Sequence, residues 1–259
     1  MRFRILGPME IITDDQRSIP LKTSKMAQIL ALLLVRRHEI VSANMLVEEL
    51  WGERPPRSAM TTLQTYVYHA RQMFAREGVA SRNSHKEGLL ITRSPGYSIQ
   101  IENDEVDIWI FEGMVRRATA CLEAGDPATA LSELAQALGL WRGPAFSNIS
   151  TGPVLDAHAT HLAELRLQTI NMRIEALRQL GRYQAIVPEL RSLVVSHPLN
   201  EFLYCQLIEA LYRSGRRAEA LQTYAQLRTI LDLELGVEPA PEAQRLHLEV
   251  LNCGRVALA

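Results

Sequence analysis

The residue types best suited to chemistry in this chain of 259 residues are few and scattered. His158 and His161 stand three apart with Asp156 and Glu164 close by, a spacing that puts potential ligands on one helical face and could clamp a divalent cation. No further ligand type follows at a recognisable spacing, so the four read as the polar face of a solvated helix. Cys121, Cys205 and Cys253 lie far apart with no CxxC pair, which suits neither a disulfide framework nor a structural zinc site and predicts reduced thiols. There is no GxxxxGK[ST] phosphate loop, no strand-following GxGxxG, no GxSxG elbow and no HExxH pair. Neither catalysis nor a cofactor nor a bound metal is expected.

A different chemistry gathers between positions 61 and 72. Thr62, Thr65, Tyr66 and His69, with Arg71 and Gln72 at the edge, donate or accept hydrogen bonds, and no carboxylate interrupts them. Such a set can bond to phosphates and to base edges in a major groove, where an acidic side chain would be repelled by the nucleic-acid backbone. The whole chain is nearly neutral at −1, but its halves differ: residues 1–103 carry 14 basic and 10 acidic side chains, the remainder 14 and 19. The basic half is the one that contains the hydrogen-bonding set.

The elements that must position that set follow from periodicity. Arg2 to Leu6 and Met9 to Thr13 alternate as strands around Gly7-Pro8, predicting a short antiparallel sheet. Met26, Ile29, Leu30, Leu33 and Leu34 form the buried stripe of a first helix over Lys25 to Arg37. Ser42 is suited to cap a second helix through Met45, Leu46, Glu49 and Leu50, which ends at Trp51-Gly52. After Pro55-Pro56, a third helix runs from Ser58 to about Glu77, with Leu63, Val67, Ala70 and Phe74 facing the core and the hydrogen-bonding set opposite. Two β-rich runs, Leu89 to Thr92 and Tyr97 to Ile101, flank Arg93-Ser94-Pro95-Gly96 as a hairpin. Sheet, three helices and hairpin describe an α+β winged helix-turn-helix. Trp51 and Trp141 read as core anchors.

From Asp107 onward strand signals vanish and about seven helices are predicted, punctuated by glycine and proline turns. Ile174-Glu175-Ala176-Leu177 to Gly181-Arg182 repeats as Ile208-Glu209-Ala210-Leu211 to Gly215-Arg216 at a separation of 34, the tetratricopeptide period. Gly125 marks an earlier copy 56 residues before Gly181, so an insertion containing Trp141-Arg142-Gly143-Pro144 separates them. Ala130, Ala185 and Ala220 are the small residues expected where helices approach closely, and Arg213, Arg216 and Arg217 read as a solvated charged turn. The division is a winged helix over 1–103 and an all-α, tetratricopeptide-like domain over 104–259. The opening MRFRILGP has no long apolar leader, and the longest apolar run, Ile29 to Val35, is far shorter than the ~18 residues that span a bilayer. A cytoplasmic protein with no membrane partner is expected.

Arg2-Phe3-Arg4-Ile5-Leu6-Gly7-Pro8, Leu46-Val47-Glu48-Glu49-Leu50-Trp51-Gly52, Pro55-Pro56-Arg57-Ser58-Ala59, Leu63-Gln64-Thr65-Tyr66-Val67 and Thr92-Arg93-Ser94-Pro95-Gly96-Tyr97 together resemble segments of the Streptomyces antibiotic regulatory proteins. Trp141-Arg142-Gly143-Pro144, Leu211-Tyr212-Arg213-Ser214-Gly215-Arg216, Ala218-Glu219-Ala220-Leu221 and Leu235-Gly236-Val237-Glu238-Pro239 resemble the bacterial transcriptional activator domain that follows the winged helix in that family. The resemblance implies a sequence-specific activator of a secondary-metabolite, antibiotic-type gene cluster. It implies that Arg57, Thr61, Thr62, Tyr66, Tyr68, His69 and Arg71 face double-stranded promoter DNA, with Arg93 in the wing. It further implies contact with RNA polymerase holoenzyme, including its sigma factor, and self-association on direct-repeat DNA sites. Relatives carry several arginines along the exposed half of the third helix, where Tyr68-His69-Ala70-Arg71 keeps one, so a smaller electrostatic contribution is expected. The alternative is a tetratricopeptide-like adaptor whose winged helix no longer binds DNA.

Overall fold

The computed structural model describes residues 2–21, 24–77 and 88–252. Cys253 and the segment between the third helix and the hairpin lie outside them. Three short strands open the chain, β1 (Arg2–Arg4), β2 (Glu10–Ile12) and β3 (Ser18–Pro20), paired antiparallel in that order with Phe3 opposite Ile11 and Ile11 opposite Ile19. Alternation turns Phe3 and Ile11 into the core. The third strand had no sequence signal of its own: it is three residues long and ends at Pro20, a residue that only an edge strand tolerates.

Helix α1 (Lys25–Val35) begins at Ser24, whose side chain accepts from the Ala27 amide, and is buried on every side from Ala27 onward, as befits its central place. Helix α2 (Ala43–Trp51) is capped by Ser42 through the Met45 amide and stops at Gly52, which takes a positive φ of 58°. Helix α3 (Ala59–Arg76) buries Leu63, Val67, Ala70 and Phe74, the stripe that its sequence predicts. A second sheet has the order β4 (Val41–Ser42), β6 (Gly96–Ile99), β5 (Leu90–Arg93), so the wing hairpin rests on a strand just ahead of α2. β4 was not foreseen, because two residues show no alternation and Ser42 doubles as a helix cap.

By packing, the chain falls into two compact units, Met1–Arg173 and Ile174–Ala259. The first unit holds the winged helix together with α4 (Asp107–Glu123), α5 (Pro127–Gly139) and most of α6 (Pro153–Gln179). One core runs through this unit and includes Phe3, Leu30, Leu63 and Phe74 with Phe111, Phe146, Leu155 and Leu162. The predicted insertion around Trp141 is the segment that joins these parts. It runs along the turn that follows β1, where the amides of Arg142, Phe146 and Ser147 donate to the carbonyls of Leu6, Ile5 and Gly7. Trp141 meets Phe111 edge-on at 5.5 Å, and the Asn148 amide group donates to the carbonyls of Met9 and Leu21.

The second unit contains the end of α6 with α7 (Tyr183–Ser196), α8 (Glu201–Arg213), α9 (Arg217–Leu235) and α10 (Pro241–Asn252). Its repeat is geometric as well as sequential. Gly181 and Gly215 take φ of 68° and 78°, and the amide after each donates to the carbonyl four residues before that glycine, Arg182 to Leu177 and Arg216 to Leu211. Gly125 in the first unit repeats the turn with φ of 74° and an Asp126-to-Cys121 bond. Ala130 and Ala220, five residues after their glycines, are fully buried. Ala185 is exposed, however, because it lies four residues after Gly181, and the buried equivalent is Ile186. The charged turn is anchored internally: Arg216 pairs with Glu219 at 2.6 Å, and Arg217 donates to the carbonyls of Val250 and Leu251 at the end of α10.

Candidate nucleic-acid interface

The side of α3 directly opposite its buried stripe consists of Thr61, Thr65, Tyr68 and Gln72, spaced four, three and four apart, with Gln64 and His69 flanking them. All six are exposed and none is acidic. Tyr68 is 57% exposed, a large apolar surface to leave in water, and its ring meets that of His69 edge-on at 5.8 Å. The Thr65 hydroxyl donates back to the Thr61 carbonyl, which leaves its lone pairs free to accept.

The candidate residues divide by role. Thr61, Tyr68 and His69 share the open face, and Arg57 is exposed in the turn that leads into α3. Thr62 and Tyr66 are half-buried on its flank, and Tyr66 packs against the core. Arg71 is exposed but engaged: its guanidinium donates to the Leu90 carbonyl at 2.9 Å and to the Thr92 hydroxyl at 2.8 Å, tying α3 to β5. Arg93 ends β5 at the tip of the wing and is exposed, and Arg71, Leu90, Ile91, Thr92 and Arg93 line a shallow recess between helix and wing. Gln64 was missed by sequence reasoning. Thr65 and Gln72, found by periodicity, were absent from the set that family resemblance implied.

Close packing fixes the wing. A Cβ on Gly96 would lie 1.9 Å from the Val41 carbonyl oxygen, so β6 approaches β4 as only glycine permits. Ser98, the residue after Tyr97, is buried and points away from the surface. Burial lowers the His158 pKa, with Arg36 and His161 adding to the effect. Among the described residues no three His, Cys, Asp or Glu side chains gather to hold a metal ion, and no helix is long and apolar enough to cross a membrane.

Residues 16–99 match the family of transcriptional regulatory protein C-terminal domains, and residues 106–251 match the bacterial transcriptional activator domain. Regulatory protein DnrI of Streptomyces peucetius is 34% identical over 252 residues, covering 97% of this chain and 92% of DnrI. Regulatory protein AfsR of Streptomyces griseus is 35% identical over 97% of this chain, a match that spans 24% of AfsR. Among solved structures, Mycobacterium tuberculosis EmbR in complex with a low-affinity phosphopeptide is similar with a TM-score of 0.85 and 30% identity, over 97% of this chain and 65% of that one.

Proposed function

The chain belongs to the Streptomyces antibiotic regulatory protein family of transcription activators, and from that premise we propose that it binds double-stranded promoter DNA in a sequence-specific manner. In this reading α3 enters the major groove with Thr61, Thr65, Tyr68, His69 and Gln72 toward base edges, while Arg57 and Arg93 meet phosphates on either side. Residues 1–103 carry the reading surface. Residues 104–259 recruit RNA polymerase holoenzyme through its sigma factor and support a second copy on a direct-repeat site. The regulated genes are a secondary-metabolite cluster, and the work is done in the cytoplasm.

The observation that carries the proposal is the exposed, carboxylate-free face of α3 beside the arginine at the wing tip. With Arg71 turned onto β5, sequence discrimination falls to neutral donors and acceptors, and phosphate contacts supply most of the affinity.

The test is fluorescence anisotropy with duplexes selected from a random pool, over a salt series. Neutralisation of about five phosphates gives a slope of log K against log salt near −4 to −5. Arg57→Ala should weaken selected and scrambled DNA alike, whereas His69→Ala should cost about 1–3 kcal/mol on selected DNA and relax preference at one base position. A flat salt response would instead support a protein-binding adaptor.

A further inference from the structure

Glu49 is an acidic residue at a core position of α2, 2% exposed. Its carboxylate accepts from the Gly152 amide at 2.7 Å and the Val154 amide at 2.8 Å, with the Leu155 amide at 3.4 Å. These amides open α6, where a helix leaves its first N–H groups without internal partners and carries the positive end of its dipole. A side chain from α2 therefore caps a helix that begins about a hundred residues later. The backbones meet as well, since a Cβ on Gly152 would lie 2.2 Å from the Glu49 carbonyl oxygen. That same carbonyl accepts from Nε2 of the buried Gln28 on α1 at 2.8 Å. The next carbonyl, of Leu50, accepts from Lys25 Nζ, whose ammonium lies over the Trp51 ring. Helix α2 is thus pinned to α1 on one side and to α6 on the other, and its Leu46 and Leu50 share one core with Leu63 and Val67 of α3.

We infer that Glu49 is a positioning residue for DNA reading: through α2 it sets the angle of α3 against α6, so that the reading unit of this protein includes the helical segment up to Arg173. The inference rests on the DNA-binding reading proposed above. Base-edge hydrogen bonds discriminate only when the donors are held to within about half an ångström, whereas phosphate contacts tolerate a tilted helix. Loss of the Glu49 cap therefore strikes selectivity before it strikes affinity for DNA in general.

The experiment uses the full chain with two duplexes, one selected by the unaltered protein from a random pool and one a scramble of the same composition. Glu49→Ala removes the cap. Glu49→Gln keeps one acceptor oxygen, and Gly152→Ala pushes the same joint apart from the other side. Circular dichroism at the assay temperature reports the folded fraction. The expected result is binding of the scramble within twofold of the parent and at least a tenfold loss on the selected duplex, with Glu49→Gln intermediate. Should Glu49→Ala unfold, Glu49→Gln and Gly152→Ala carry the same comparison. Unchanged selectivity in folded variants overturns the role of Glu49 alone, as does a parallel loss on both duplexes that tracks the unfolded fraction. Failure of the parent to bind either duplex overturns the DNA-binding reading, and this inference with it.

Discussion

Both carboxylate oxygens of Asp107 lie 2.9 Å from the Ile5 amide, so the first residue of α4 grips the chain where it leaves β1. Oδ2 also accepts from the Leu6 amide at 3.0 Å, and the Arg142 guanidinium stands 3.9 Å away. Burial pushes the Asp107 carboxyl up to about 6, against the lowering pull of the two amides and of Arg142. A raised carboxyl takes up a proton on folding, so its contribution to stability is greatest below the unfolded value near 4 and declines as pH rises through 6. Asp107→Asn abolishes that titration. The unfolding free energy of the parent minus that of the variant should fall by about 2 kcal/mol between pH 4 and pH 7. Denaturant melts at several pH values check this, and a difference that stays flat with pH would refute it.

Two glycines should respond oppositely to alanine. Gly96→Ala places a methyl against the Val41 carbonyl and should destabilise the protein by about 1–3 kcal/mol, with loss of DNA binding as β6 parts from β4. Gly139→Ala, at the end of α5 with open space around it, should be stabilising by about 0.5–1 kcal/mol and leave DNA binding unchanged. Thermal unfolding of the two variants side by side provides the measurement.

Arg71 and Tyr68 separate support from contact. Arg71→Ala removes two hydrogen bonds between α3 and β5 and should cost about 1–3 kcal/mol of stability, and Arg71→Lys should not restore it, because an ammonium lacks the planar fork that spans both acceptors. Tyr68→Ala should leave the unfolding midpoint in place while weakening the DNA complex. Equal loss of stability in both variants would contradict this division.

The Cys205 thiol is pushed up to about 11 by burial, with Glu242 and Glu201 acting in the same direction. Little thiolate is present at pH 8, so iodoacetamide should leave Cys205 unmodified in the native protein and alkylate it once guanidinium is added, as peptide mass spectrometry would show.

Much of this was legible in the sequence, and the reason is periodicity. The buried stripe of α3 repeats at helical spacing, and the turns at Gly181 and Gly215 recur at 34 residues, so local pattern discloses both. The same logic found Thr65, His69 and Gln72. Gln64 escaped it, and only the fold shows Thr62 and Tyr66 half-buried on the flank rather than on the open face. Nothing local could reveal that Arg71 is committed to the wing, or that Glu49, Asp107 and Asn148 bond to backbone about a hundred residues or more away. An acidic residue that will be buried looks, in a sequence, like any other charge on a helix. These joints lie within the compact unit Met1–Arg173, whereas the division of the sequence at residue 103 follows the change from strand to helical periodicity.

The segment that holds the turn after β1 bears on the order in which the protein is made. The amides of Arg142 and Phe146 that bond to Leu6 and Ile5 emerge from the ribosome long after the turn they hold. At roughly 5–20 residues per second of synthesis, the intervening stretch takes on the order of ten seconds. Through that interval the carbonyls of Ile5, Leu6 and Gly7, in the turn that follows β1, wait for the donors that later satisfy them. Final closure of the first unit waits on residues as late as Arg173, so the packing that holds α3 in place is completed only after about two thirds of the chain has been made.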